Sequence, residues 1–170
     1  YVQITSGITN NKTISKYTPT GSDIGKKLKA VYTGAGDFKG DKEAVTSSIK
    51  KNVATDPEIT TFTQISDIDN HLQTNVELNT KENVWYRVQK DTIPAPNAPE
   101  GTTESAMTAA GWTKVPSTNF QLTQDYEKAY FEANRVYTLY IVKQETADTQ
   151  VSNVRSKSVE LGPVTQSGTI

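Results

Sequence analysis

His71 is the only histidine in the chain, and Ser66, Asp67 and Asp69 lie close to it in sequence. Ser, His and Asp are the residue types of a nucleophilic triad. A triad is assembled from residues distant in sequence, however, and no Gly-x-Ser-x-Gly elbow is present to present a serine. A surface or packed histidine is the expected role. Asp67-Ile68-Asp69-Asn70 sets hard oxygen ligands at alternating positions, with Asp56 and Glu58 nearby in the chain, a pattern that suits calcium. It lacks the central glycine and the distal glutamate of an EF-hand loop. Asp67, Asp69 and Asn70 are therefore the weaker, calcium alternative, and capping or turn formation is the expected role. No cysteine is present, which removes thiolate nucleophiles, disulfides and Cys-based zinc sites. Gly34-Ala35-Gly36 joins strand to strand, with no helix N-terminus to receive a phosphate. No cofactor is expected, and the chain reads as a non-enzyme.

Binding is the remaining chemistry. Trp85, Trp112, Tyr126, Tyr130, Tyr137 and Tyr140 are flat rings that could stack on sugars or build a core. Ile93 to Thr103 carries Pro94, Pro96 and Pro99, which predicts an extended, polyproline-like loop. A loop from 91 to 112 is long for a compact domain, and such loops carry binding more often than strands do. Trp112, Pro94, Pro96 and Asn97 are the candidate binding residues. Asn11-Lys12-Thr13 matches the N-glycosylation triplet, a pattern short enough to arise by chance.

Composition narrows the partners. The chain has 170 residues, 18 Lys+Arg against 19 Asp+Glu, and formal net charge −1. Such a balance gives no field to gather nucleic acid or an anionic membrane. Lys26, Lys27 and Lys29 read as a solvated strand face or a protected edge. No apolar run approaches the roughly 20 residues of a membrane span, and no signal peptide is visible. The chain opens on Tyr1-Val2-Gln3-Ile4, already strand-like, and so reads as a piece of something longer.

The elements that hold these residues are mostly strands, because Thr, Val, Ile and Tyr are abundant. Short strands are expected over Tyr1–Thr5 and Lys12–Tyr17. Asp23-Ile24-Gly25 makes a corner, Leu28, Ala30 and Tyr32 alternate with Lys27, Lys29 and Val31, and Gly34 and Gly36 serve a hairpin into Val45-Thr46-Ser47. Asp56-Pro57 marks a boundary. Ile59–Thr63 is a strand. Ile65, Ile68, Leu72 and Val76 have helical spacing, with a strand over Asn75–Leu78 as the competing reading and the helix slightly preferred. Glu82–Gln89 is a strand with Val84, Tyr86 and Val88 on one face and Trp85 and Arg87 on the other. Short strands follow at Trp112–Pro116 and Asn119–Leu122. Tyr126, Ala129, Tyr130 and Ala133 place a helix over Asp125–Asn134. Arg135–Lys143 is apolar on both faces, as a central strand requires, and Val151–Leu161 returns as the last strand.

The halves echo each other. Leu28–Tyr32 is similar to Tyr137–Ile141, Tyr17–Thr20 to Phe120–Thr123, Val45–Ser47 to Val151–Asn153, and Tyr1–Gln3 to the end of Trp85–Gln89. The first copy then lacks a counterpart of residues 58–82, which leaves open edges and half a core. Either a tandem array was trimmed, or the missing strands come from another chain.

The run D-I-G-K-K-L-K-A-V-Y-T-G-A-G-D-F-K-G resembles the Asp-x-Gly corner, strand and Gly-rich hairpin of bacterial immunoglobulin-like repeats, found in tandem in large cell-surface proteins, mostly of Gram-positive bacteria. The resemblance is carried by residues 17–48. In the second half Asp125-Tyr126-Glu127 replaces the Asp-x-Gly corner. Taken with the residue reading, the expected fold is all-β, tandem immunoglobulin-like β-sandwiches: a strand-deficient domain over 1–52, a fuller domain over 56–163 with a short helix and a long Pro-rich loop, and a polar tail over 164–170. It implies a structural or spacer module of an extracellular, bacterial cell-surface assembly, associating with neighbouring repeats or with itself through strand complementation. The alternative is an adhesin module that binds host glycan or protein through the 91–112 loop. No nucleic acid partner, membrane insertion or catalytic residue is implied.

Overall fold

A computed structural model describes residues 8–11, 14–33, 40–68, 71–91, 93–147 and 149–163. The fold is mostly β, 48% strand and 7% helix, with several sheets in a sandwich-like arrangement. The chain divides into two compact units, Tyr1–Asn52 and Val53–Ile170.

In the first unit β1 (Ile8–Asn11) pairs antiparallel with β2 (Ile14–Tyr17), and β3 (Lys27–Thr33) pairs antiparallel with β4 (Asp41–Ser48). Between them the chain turns through a 3-10 turn at Gly21–Asp23. Asp23 organises this corner. Its Oδ2 accepts the Tyr17 hydroxyl at 2.6 Å and the Thr20 N–H at 2.8 Å. Gly25 follows at φ +81°, a conformation that costs a side chain but not glycine. The reversal at 34–39, the strand expected over Tyr1–Thr5 and the tail 164–170 lie outside the described residues. Among the described residues of this unit only Asp23 is buried, and no apolar cluster forms.

β5 (Asn52–Val53) is followed by Ala54, whose N–H donates to the Gln150 carbonyl at 3.2 Å, beside β12 (Thr149–Gln150). The second unit is built from β6 (Ile59–Ile68), β7 (His71–Leu78), β8 (Val84–Lys90), β9 (Thr113–Lys114), β10 (Asn119–Leu122), β11 (Arg135–Lys143) and β13 (Arg155–Leu161). They form a three-stranded sheet ordered β10-β7-β6 and a four-stranded sheet ordered β13-β11-β8-β9. Phe62, Leu72, Val76 and Leu78 from the first sheet meet Val84, Val88, Tyr137, Leu139, Ile141 and Leu161 from the second in one buried cluster.

Two helices expected from spacing are absent. Residues 65–68 and 71–78 lie in the antiparallel strands β6 and β7. The register shifts by one residue between Ile65↔Gln73 and Ile68↔His71. That bulge turns the strand period of two into a spacing of three, which imitates a helix. Asp125–Asn134 is an irregular corner. Asp125 Oδ1 accepts the N–H groups of Glu127 (2.9 Å) and Ala129 (3.1 Å), which diverts them from a helical ladder. Lys128 (φ +68°) and Asn134 (φ +58°) then turn the chain through left-handed conformations. The helix present is α1 (Glu104–Ala109), inside the segment read as a loop. Thr103 caps it by accepting the Ala106 N–H, and Gly111 at φ +80° stops it. The return strand is also displaced. Val151–Asn153 is not in a strand, and β13 pairs with β11 instead.

Candidate functional site

The segment from 91 to 112 lies on the outer face of the four-stranded sheet. β8 and β11 offer that face Trp85, Tyr140 and Val142. Met107 of α1 and Trp112 cover them, with Ala98, Val151 and Val154 packed around. Two polar contacts fix the cover, and a third ties the strands beneath it. Trp85 Nε1 donates to Gln144 Oε1 at 2.9 Å, the Gly101 N–H donates to Glu145 Oε2 at 2.8 Å, and Arg87 Nη1 donates to the Ala110 carbonyl at 3.1 Å. The Arg87 guanidinium also lies 3.7 Å from the centre of the Tyr126 ring. A Cβ on Gly111 would sit 3.2 Å from Arg87 Nη1, so the guanidinium would have to give way, and φ +80° adds backbone strain to any side chain there.

This arrangement separates the candidate binding residues. Trp112 is 2% exposed, its ring is spent in the apolar cluster, and it offers no platform to a sugar. Trp85, Tyr137 and Tyr140 are buried too. Pro94 and Asn97 are exposed and Pro96 is half-buried, on a stretch anchored at Ala98. Tyr130 is the exposed aromatic of the set at 50%, and one ring face is already stacked on His71 (3.8 Å between centroids, 3° between planes). The Asp67 side chain, Asp69 and Asn70 lie outside the described residues. Among the described residues no group of three or more His, Asp or Glu is placed to hold a metal ion.

Two clefts flank the sandwich. One, about 140 Å³, is lined by Arg87, Gln121, Gln124, Asp125, Tyr126 and Lys128, among others. The other, about 460 Å³, follows the seam between the start of β6 and the start of β13. Asp56 and Arg155 in its lining pair with each other. Asp56 Oδ1 accepts the Asn153 N–H at 2.9 Å, and Oδ2 accepts Asn153 Nδ2 at 3.2 Å and Arg155 Nη2 at 2.7 Å. Burial pushes the Asp56 carboxyl up, but the Asn153 bonds and the Arg155 guanidinium outweigh it and hold the group below the ordinary value.

The same seam continues along both strands. Lys157 Nζ donates to the Thr60 carbonyl at 2.8 Å. Gln64 Oε1 accepts the Gly162 N–H at 2.7 Å, and Gln64 Nε2 donates back to the Gly162 carbonyl at 3.3 Å. Residue number rises together on the two strands through these links, so β6 and β13 run side by side in the same direction. Asp56 stood out in the sequence only as a boundary and as a possible oxygen ligand, and its partners across the seam did not, because a link between positions this far apart leaves no local pattern.

Tyr137 was likewise hidden among core aromatics. It stands near the start of β11, and its hydroxyl accepts the Glu132 N–H at 3.0 Å. A tyrosine that opens a strand after a long corner is the available signal. Among the described residues no helix is long and apolar enough to cross a membrane. Comparison with protein-family models, with curated proteins and with solved structures returns no match.

Proposed function

We propose that the chain is a structural module of an extracellular bacterial surface assembly, built on immunoglobulin-like sandwiches and serving as a load-bearing spacer. The observation that carries this reading is the β6–β13 seam. Tension along the chain enters the second unit near Asp56 and leaves past Gly162. It pulls β6 and β13 in opposite directions along a shared line, and the links at Asp56–Asn153/Arg155, Thr60–Lys157 and Gln64–Gly162 are strained together rather than one after another. The strand order of the two sheets and the Tyr137 corner support the immunoglobulin-like assignment. The corner-and-hairpin resemblance of residues 17–48 supports the surface location.

Single-molecule stretching of the chain held at both ends tests this. The second unit should rupture in one resistant step, and the Asp56→Ala/Gln64→Ala double variant should rupture at clearly lower force. Extension of the wild-type unit without a resistant step would end the spacer reading.

A second reading is supported by the exposure of Pro94 and Asn97 on an anchored segment. As a rigidly presented tip, this stretch would bind host protein or glycan. Loss of cell adhesion in Pro94→Ala/Asn97→Ala at unchanged melting temperature supports it, and unchanged adhesion removes it.

A further inference from the structure

The smaller cleft, about 140 Å³, lies where the pairing of β8 with β9 stops. The last pair is Tyr86↔Thr113, so Val88 runs on beyond β9. The Val88 carbonyl accepts the Tyr126 N–H at 3.0 Å. In an antiparallel ladder the N–H and C=O of one residue point to the same side, so the Val88 N–H faces the same gap. Among the described residues none beyond the ladder accepts it, and Val88 is 1% exposed.

Arg87, next in the lining, is only partly engaged. Nη1 donates to the Ala110 carbonyl at 3.1 Å, and one face of the guanidinium lies on the Tyr126 ring. Nε is buried without a hydrogen-bond partner among the described residues. Nε and Nη2 form the edge of a guanidinium that can take both oxygens of a carboxylate side by side. The lining contains a carboxylate, Asp125, but its Oδ1 is turned to the corner, where it accepts the Glu127 and Ala129 N–H groups. Lys128 adds a second cation, so the lining carries two positive charges against one negative. Buried donors without an acceptor carry a desolvation cost that an incoming acceptor removes.

Size and the remaining lining select what carries that acceptor. The cleft is well below the roughly 300 Å³ at which sites for drug-sized ligands begin, yet larger than a carboxylate alone needs. Thr113, Thr123 and Gln124 add hydroxyl and amide groups, which both donate and accept and so suit ring hydroxyls. We propose that this cleft binds one acidic sugar residue of the hexuronic kind, with its carboxylate on the Nε–Nη2 edge of Arg87 and the Val88 N–H as a further donor. The site uses neither Pro94 nor Asn97 and does not depend on the spacer reading. The stretching and adhesion experiments can therefore fail without it, and it without them.

The test is a titration of the isotope-labelled full chain with methyl glucuronide, followed through backbone amide and arginine side-chain resonances. Methyl glucoside keeps the ring and replaces the carboxylate with a hydroxymethyl group. N-acetylglutamate amide keeps a carboxylate and replaces the ring with a peptide-like carrier. Saturable binding of the glucuronide is expected, with the Val88 N–H and Arg87 Nε–H signals moving, and binding of the other two about tenfold weaker or less. Arg87→Lys keeps the charge and loses the fork, and should weaken the glucuronide about tenfold. Should that variant melt lower, the three probes on the wild-type chain decide by themselves. No saturable binding, a glucoside or glutamate compound that binds as tightly as the glucuronide, or Val88 and Arg87 signals that stay still would each overturn the proposal.

Discussion

The Tyr137 hydroxyl accepts the Glu132 N–H, five residues back, at 3.0 Å, while its ring packs against Phe131 at 4.6 Å between centroids. One side chain thus ties the corner to the strand it leads into. Tyr137→Phe keeps the ring contact and removes only the bond. The second unit should lose about 1 kcal/mol, read as a lower denaturation midpoint with unchanged slope.

Met107 is 0% exposed and sits between the sheet and its cover. Met107→Ala should cost about 2–4 kcal/mol through the cavity it leaves. The same variant should shift tryptophan emission to longer wavelength, since Trp85 and Trp112 belong to the same cluster. Unchanged emission would mean that the cover does not pack as described.

Asp23 holds the first unit's corner as an anion. The Thr20 N–H and then the Tyr17 hydroxyl pull its pKa below the ordinary 3.8. The same bond raises Tyr17 above its ordinary 10.0. A carboxyl whose folded pKa is depressed stabilises the fold above its unfolded pKa, and that contribution is lost as pH falls through the folded value. Exchange at the corner amides of Gly25 and Lys26 should therefore quicken, after correction for intrinsic rates, as pH drops below 3.8. Asp23→Asn should flatten that dependence.

Deleting Pro94–Thr103 and substituting its exposed residues should differ. The deletion removes the Ala98 packing, the Gly101–Glu145 bond and the Thr103 cap, so the melting temperature should fall. Asn97→Ala touches no such feature and should stay within about 0.5 kcal/mol of wild type. Adhesion tests on the 91–112 stretch therefore call for point variants.

Strands with plain alternation were legible. Arg135–Lys143 spans the residues expected, and its two apolar faces mark it as central. The β6–β7 pair was legible as Ile59–Thr63 and, over Asn75–Leu78, only as the competing reading, because a bulge near Ile65 broke the period. Asp125–Asn134 carried a helical spacing that a single carboxylate overrode. α1 could have been found from Thr103, Glu104 and the alanines that precede Gly111. The candidate site was legible as a segment, not as a surface. Aromatic type alone does not say whether Trp112 faces a sugar or the Trp85 side of its own sheet.

The burial of β11 on both faces has a cost when the unit opens. Val136 to Val142 reads V-Y-T-L-Y-I-V, without a charge, a proline or a glycine. Such a run is a seed for intermolecular β-stacking once exposed. Arg135 and Lys143 flank it as charged gatekeepers. Opening of the second unit should therefore be a one-way event at high concentration: reheating scans should lose amplitude as protein concentration rises, and the aggregate should bind amyloid dye. The strand that gives the sandwich its centre also makes its denatured state the hazardous one.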